Sequence, residues 1–394
     1  MLKIPIYLDF NATAPLSQKV ITSMPQLLQL WGNPSSIHLA SRGPKTILRE
    51  TKKKLADYLK VSALEIIFNS GASEGNNTVL KSVWNTYRPG NHFGQPVKNE
   101  FLISAVEHPS IAKTAQFLET EGAIVRWIPV SRDGVLDLNF IKENLNERTA
   151  LVSVMFANNE TGTVFPIKEI VALAKAKSVL VHSDCVQAFG KTDFNLQDLG
   201  VDYATISAHK FYALKGCGVL FVRKNSPFIN LIHGGGQERS RRGGTENILG
   251  IASLGVMVEE LSLVTSKETE IKNLRDHFEN EIKKQLTGVS VTCEKSVRLA
   301  NTSSLIINGV DGETLLVSLD LKGFAVSTGA ACSSGNPEPS PVLLAVGLSR
   351  QEAQNSLRVS LGWTTTKSDI DLFTHQLVEV VEHLRSINEA QANV

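Results

Sequence analysis

The chain predicts an α/β protein: a mainly parallel sheet covered on both faces, followed by a smaller α+β unit. Three observations carry this. Short apolar runs and helical patterns alternate at βα spacing from about residue 66 onward. The run over residues 150–156 is strongly apolar and β-branched, the texture of a buried strand. Beyond Val289 the texture changes to strand-like stretches at 289–293, 302–307 and 357–361, with helical patterns at 313–321 and 367–384.

Length and composition permit this. With 394 residues, 42% of them hydrophobic, the chain has enough apolar mass for two or three domains. The 40 basic and 39 acidic residues leave a net charge of +1, which argues against nucleic acid or an anionic membrane as partner. Cys185, Cys217, Cys293 and Cys332 form no CxxC pair, so neither a structural zinc nor a disulfide framework is expected. The opening MLKIPIYLDF lacks the apolar run of a signal peptide, and 248–264 carries Glu259 and Glu260 and is too short for a membrane span. A soluble cytoplasmic enzyme is the expectation.

In chain order, residues 4–8 are extended and end in the turn-prone Asp9–Pro15 cluster. A second turn cluster, Gly32-Asn33-Pro34-Ser35-Ser36, separates two helical patterns. A strand at 66–70 is followed by Gly71-Ala72-Ser73-Glu74-Gly75-Asn76-Asn77, with a helix expected from near Thr78. Strand, small-residue turn and helix start make either a phosphate cradle or a plain helix cap. The strand at 101–105 ends at Glu107-His108-Pro109, and Pro109 suits the first turn of a helix. His108 then sits at a strand's carboxyl end, where open α/β sheets bind ligands. Strand 124–129 and helix 138–146 come next. Strand 150–156 leads to Asn158-Asn159, and a helix over 168–177 follows. Strand 179–181 leads to His182-Ser183-Asp184-Cys185-Val186-Gln187. A carboxylate there needs a positive partner or a capping role.

Strand 201–206 delivers Ser207-Ala208-His209-Lys210. A lysine just past a buried strand, with a serine and a histidine beside it, can hold an aldehyde as a Schiff base. Pyridoxal phosphate (PLP) is the aldehyde that suits the remaining parts. Asp184 would face its protonated ring nitrogen. A strand at 216–222 precedes His233–Thr245, rich in glycine and arginine, which reads as a flexible cationic loop: solvated, or an anion contact. The pattern from 245 to 285 is helical. Cys332 lies among small residues in Ser327–Pro339, a placement that favours reactivity over burial. Arg358, within a strand, calls for a carboxylate, its own or a substrate's.

Taken in order, YLDFNATAP, GNPSS, FNSGASEGNN, EHPS, NNETG, HSDCVQ, SAHK, HGGGQERSRRGGTEN, STGAACSSGNPEPS and SLRVSLG resemble a cysteine desulfurase of the class V aminotransferase family, fold-type-I PLP enzymes. The long cysteine loop resembles the NifS/IscS-like group. The usual AATTP is replaced by Asn11-Ala12-Thr13-Ala14-Pro15, and Ser73 stands at the phosphate-loop threonine, keeping the hydroxyl.

The resemblance implies an arm at 1–15 packing with the small domain, a large PLP-binding domain at 16–260 with a seven-stranded sheet, and a small domain at 261–394. It implies that Lys210 holds PLP and that Ala72, Ser73, Ser207 and His209 bind its phosphate, with Thr245 reaching in from the partner of a homodimer. Asp184 would pair with the ring nitrogen and Gln187 with the ring oxygen, with Asn159 nearby. His108 would stack on the ring and pass protons. Arg358, with Asn33, would clamp the substrate carboxylate. Cys332 would collect sulfur from L-cysteine, releasing L-alanine and passing a persulfide to an acceptor such as an iron–sulfur scaffold. A selenocysteine lyase or a serine–pyruvate-type aminotransferase is the alternative.

Overall fold

The computed structural model describes residues 5–329 and 338–392. Its strands are β1 (Ile6–Tyr7), β2 (Ile66–Asn69), β3 (Glu100–Ser104), β4 (Ile124–Ile128), β5 (Thr149–Ser153), β6 (Leu180–Asp184), β7 (Tyr203–Ser207), β8 (Gly218–Val222), β9 (Val289–Val291), β10 (Thr302–Ile307), β11 (Phe324–Ala325) and β12 (Ser356–Ser360).

A seven-stranded sheet runs in the order β2-β8-β7-β6-β5-β3-β4. β3 to β7 are parallel to one another where they pair, and β8 is antiparallel to both β2 and β7. The β7–β8 connection explains the exception. It is too short to hold a crossover helix, so the chain can only return antiparallel. From β3 the chain moves outward to β4, then crosses back to place β5 on the other side of β3. Connections therefore diverge between β3 and β5. That switch point opens a crevice at the strands' carboxyl ends.

Helices cover both faces. The helices Ala72–Tyr87 and Pro109–Thr120 bury Val83, Trp84, Ile111 and Leu118 on one face against Phe101, Ile103 and Leu151. On the other, Leu55, Ile170 and Leu254 pack with Phe68, Leu102 and Val152. A separate three-stranded antiparallel sheet, β12-β10-β9, packs with the helices Glu268–Gln285, Gly312–Leu321 and Lys367–Ala392. Its core contains Phe278, Leu305, Phe373 and Leu377, and Leu8 of the N-terminal segment is buried in it. β1 adds to β11 in parallel.

Several local expectations are corrected. The helix expected from Thr78 begins at Ala72. Glycine and asparagine are poor helix formers, so propensity alone delays the start. Packing overrides it: a Cβ on Gly75 would lie 2.8 Å from Thr205 Cγ2, so the helix sits directly on β7. The strand expected at 179–181 continues as β6 to Asp184, because His182 and Ser183 are fully buried in the ladder. The helical stretch from 245 divides into Ile248–Glu259, Leu261–Ser266 and Glu268–Gln285. The glycine–arginine loop is pinned rather than free. Its Glu238 is buried and takes bonds from Lys52 (2.6 Å) and the Phe68 amide (3.2 Å). Its Arg242 forks onto Glu74 at 2.9 and 3.1 Å.

Candidate active site

A cavity of about 610 Å³ lies at the carboxyl ends of β5, β6 and β7. Ala72, Ser73, His108, Asn159, Asp184, Gln187, Ser207, His209, Lys210 and Arg358 all line it. These residues come from widely separated segments, and the sheet brings them together. Thr245 does not line it. It is exposed and lines a 170 Å³ recess that shares Ser70 and Gly216 with the main cavity. Asn33 sits on an exposed loop, where its Oδ1 accepts the Ser35 amide at 2.8 Å. Cys332 lies outside the described residues.

Lys210 ends β7's loop in a short 3₁₀ turn. Its Nζ donates to the backbone oxygens of Asn11 (2.6 Å) and Ala12 (2.5 Å). Burial first, and the Arg358 charge second, pull its pKa down to about 8, against Asp9 and Asp184. An amine with that pKa is substantially neutral near pH 8, the form that attacks an aldehyde.

Asp184 is buried at the end of β6. Oδ2 accepts Asn76 Nδ2 at 2.8 Å and Oδ1 accepts the Val186 amide at 3.0 Å. Asn76 is held in turn by Thr205 Oγ1 at 2.6 Å. The carboxylate thus has neutral donors and faces the cavity. A cationic ring nitrogen would complete its pairing.

At the start of the helix Ala72–Tyr87, no side chain caps the end among the described residues. Ala72 and Ser73 at this helix start line the cavity together with Ser207 and His209. This uncapped positive helix end suits a phosphate. A buried neutralisable lysine, an unmatched buried carboxylate and an uncapped helix start therefore fit PLP.

His108 caps the helix Pro109–Thr120. Its Nδ1 accepts the Ser110 amide at 3.1 Å, which leaves Nε2 to carry the proton in the neutral ring. Burial lowers its pKa, with Asp184 opposing and Lys210 adding to the fall. His209 falls to about 4, chiefly by burial and then by Lys210 and Lys215.

Arg358 on β12 finds its carboxylate within the chain. Nη2 donates to Asp9 Oδ1 at 2.8 Å and Nη1 to the Asn159 oxygen at 3.3 Å. Nε has no partner among the described residues. Ser327 pairs with Arg358 through both backbone bonds. Gly329 and Ser340, on either side of the stretch outside the described residues, both contact Glu160. A Cβ on Gly329 would lie 3.0 Å from Glu160 Oε2, and Ser340 Oγ donates to that oxygen.

Sequence reasoning missed Asp9, Asn11, Glu160 and Lys191 as members of this site. Asp9 and Asn11 stand in the quoted YLDFNATAP, and Lys191 follows Gln187 by one helical turn, but only the fold places them. Asn11 Nδ2 donates to the Asn159 oxygen (3.0 Å) and Thr302 Oγ1 (2.9 Å), bridging the two sheets.

Comparison with known proteins decides the family. Residues 6–373 match the family model described as aminotransferase class-V. A cysteine desulfurase IscS of Dictyoglomus turgidum is 40% identical over 390 residues, covering 98% of this chain and 97% of the relative. The chain is a cysteine desulfurase of the class V aminotransferase family. Another relative, cysteine desulfurase IscS of Methanosarcina thermophila, is 36% identical over 97% of this chain and 93% of its own. Among solved structures, a NifS-like protein matches with a TM-score of 0.89 at 33% identity, covering 96% of this chain and 100% of that one. A structure titled SspA in complex with cysteine matches with a TM-score of 0.79 at 30% identity, covering 90% and 98%. The expected fold and enzyme class hold, and PLP is the cofactor of this desulfurase family. The lyase and aminotransferase alternatives are not favoured by relatives so named.

Proposed function

We propose that this desulfurase takes L-cysteine to L-alanine and holds the released sulfur as a persulfide on Cys332. One observation carries it: Lys210, Asp184 and Arg358 converge on a single cavity, and the chain bearing Cys332 departs from Ser327, which is paired to Arg358. The SspA structure solved with cysteine supports the substrate.

Lys210 anchors the cofactor; the Ala72 amide, Ser73, Ser207 and His209 take its phosphate. Asp184 faces the ring nitrogen, Gln187 the ring oxygen, and Asn159 lies beside them. His108 covers the ring and relays protons through Nε2. Arg358, with Asn33, receives the substrate carboxylate. Bound PLP supplies an electron sink that loosens the bonds around the substrate Cα and Cβ. Lys210, released as a neutral amine, takes the Cα proton; its lowered pKa suits a general base. The Cys332 thiolate attacks the substrate sulfur. An S–S bond forms, the Cβ–S bond breaks and its electron pair stays on the organic fragment; a proton delivered to Cβ and the return of the proton that Lys210 took from Cα complete alanine.

Thr245 serves the site of a second copy in a homodimer. Trp31, Ile37 and Leu39 stand exposed at 79%, 98% and 73%, apolar side chains that a partner copy would cover. The persulfide passes to an acceptor protein, such as an iron–sulfur scaffold, in the cytoplasm. Among the described residues no helix is long and apolar enough to cross a membrane. Mutation of Cys332→Ala is expected to abolish persulfide and sulfide production from L-cysteine while keeping the yellow absorbance of bound PLP. Turnover at the wild-type rate would remove Cys332 from the reading. Lys210→Ala is expected to lose that absorbance.

A further inference from the structure

Lys191 is a half-buried lysine at the site's floor that has no role in the chemistry above. It follows β6 and the Asp184–Gln187 turn. Burial drives its pKa well below the ordinary lysine value, helped by the charges of Lys210 and Arg358 and opposed by Asp9. Among the described residues it forms no ion pair. Instead Nζ donates to two side-chain amides: Asn11 Oδ1 at 2.7 Å and Gln187 Oε1 at 2.5 Å.

Both amides have their orientation checked from the other side. Asn11 Nδ2 faces the Asn159 carbonyl, which can only accept, so its oxygen must point at Lys191. Asn301 Nδ2 confirms this by donating to the same Oδ1 at 3.0 Å. Gln187 Nε2 donates to the Asn11 backbone oxygen at 3.1 Å, again an acceptor only, so Gln187 Oε1 also points at Lys191. Lys191 is thus a two-proton strut between amides, whichever charge it carries. With Gln187 Oε1 turned down and one N–H spent on Asn11, the second N–H remains for the cavity that Gln187 lines.

We propose that Lys191 is a positioning residue: it fixes the Gln187 amide with its oxygen on the floor and its NH₂ group presented to the ring oxygen of PLP. Through Asn11 it also steadies the carbonyl that receives Lys210. This rests on the reading of Gln187 as the ring-oxygen donor. Without Lys191 only the Asn11 carbonyl still orients the Gln187 amide, and the fraction that turns over offers an acceptor where a donor is needed, at a cost of about tenfold in affinity.

The test is a double-mutant cycle on PLP binding, read by equilibrium titration of each apoprotein with PLP and by the absorbance maximum of the product. Lys191→Met keeps the side-chain length and removes the donors. It is expected to weaken PLP binding roughly tenfold and to shift the absorbance maximum, with Gln187→Leu doing the same. The double variant is expected to be no worse than either single one. A double variant about a hundredfold weaker, the product of the two, overturns the positioning role and leaves the Gln187 reading standing. No loss in Gln187→Leu sinks the Gln187 reading itself, and the proposal with it. Apoprotein melting curves report whether each variant folds. Should Lys191→Met fail to fold, Lys191→Arg, also a donor without an acceptor, carries the test. Binding within a few-fold of wild type is then expected, and a tenfold loss overturns the proposal.

Discussion

Strand β3 has a glutamate at each end, and the two have opposite fates. Glu100 begins the strand and is completely buried. Arg126 reaches it at 3.1 Å, Arg148 at 2.5 Å and Asn146 at 3.0 Å. Burial alone would raise its pKa, but these bonds and charges bring it below the usual carboxylate value. Glu107, just past the other end, is equally enclosed. It has the Met155 amide at 2.6 Å on Oε1, while Oε2 has no partner among the described residues. Burial drives its pKa well up, against the Met155 amide bond and with the Asp184 charge adding to the rise. One end of the sheet is closed by matched charge. The other keeps Glu107, Lys210, His108 and His209 on neutral hydrogen-bond partners, their proton affinities shifted by burial, with a cavity above them. Catalytic groups need such incomplete compensation, which a purely structural end avoids.

Three tests break or sharpen this contrast. The largest effect belongs to Asp184→Asn at the carboxyl end. It keeps the side chain's shape, removes the charge and gives up one of the two accepted hydrogen bonds, and kcat is expected to fall roughly 10²–10³-fold while the protein stays folded by its melting curve. A near-wild-type kcat would mean the uncompensated end is not the reactive one. Next comes Glu160→Gln. Burial raises the Glu160 pKa from 4.5 to about 7, against the Ser340 hydrogen bond and the Arg358 charge. A carboxyl raised on folding stabilises fully below about pH 4.5 and loses that contribution as pH rises through about 7. The wild type is therefore expected to lose roughly 3 kcal/mol more than Glu160→Gln between those limits, measured by denaturant unfolding at several pH values. Parallel curves for the two proteins would refute it. The smallest and sharpest test pairs the β3 glutamates. Glu100→Gln is expected to cost about 2 kcal/mol at neutral pH, its arginines being partly solvated, and to flatten the acid limb, since its contribution is lost as pH falls. Glu107→Gln, replacing a carboxyl whose charged form burial already disfavours, is expected to cost under about 1 kcal/mol. Equal losses would erase the distinction between the ends.

Much of this was legible in the linear chain, for a physical reason. Strand and helix periodicity are local, so the alternation, the Lys210 and Asp184 positions at strand ends, and His108 before Pro109 could all be read from neighbours. The helix start at Ala72 was misread because Gly75 and Asn76 look unfavourable until the helix is seated on β7. The glycine–arginine loop looked free because Lys52 and Glu74, which neutralise its charges, lie far away in sequence.

What the amino-acid order determined by itself was the class of fold, the order of its elements and which residue types stand at their ends. What only the tertiary structure decided was who meets whom across the floor of the cavity: Asp9 with Arg358, 349 residues apart, Asn11 with Lys191, 180 apart, and the carbonyls of Asn11 and Ala12 with Lys210. Proton affinities follow those meetings. They depend on depth of burial and on charges brought from distant segments, and neither exists until the sheets close on the N-terminal segment.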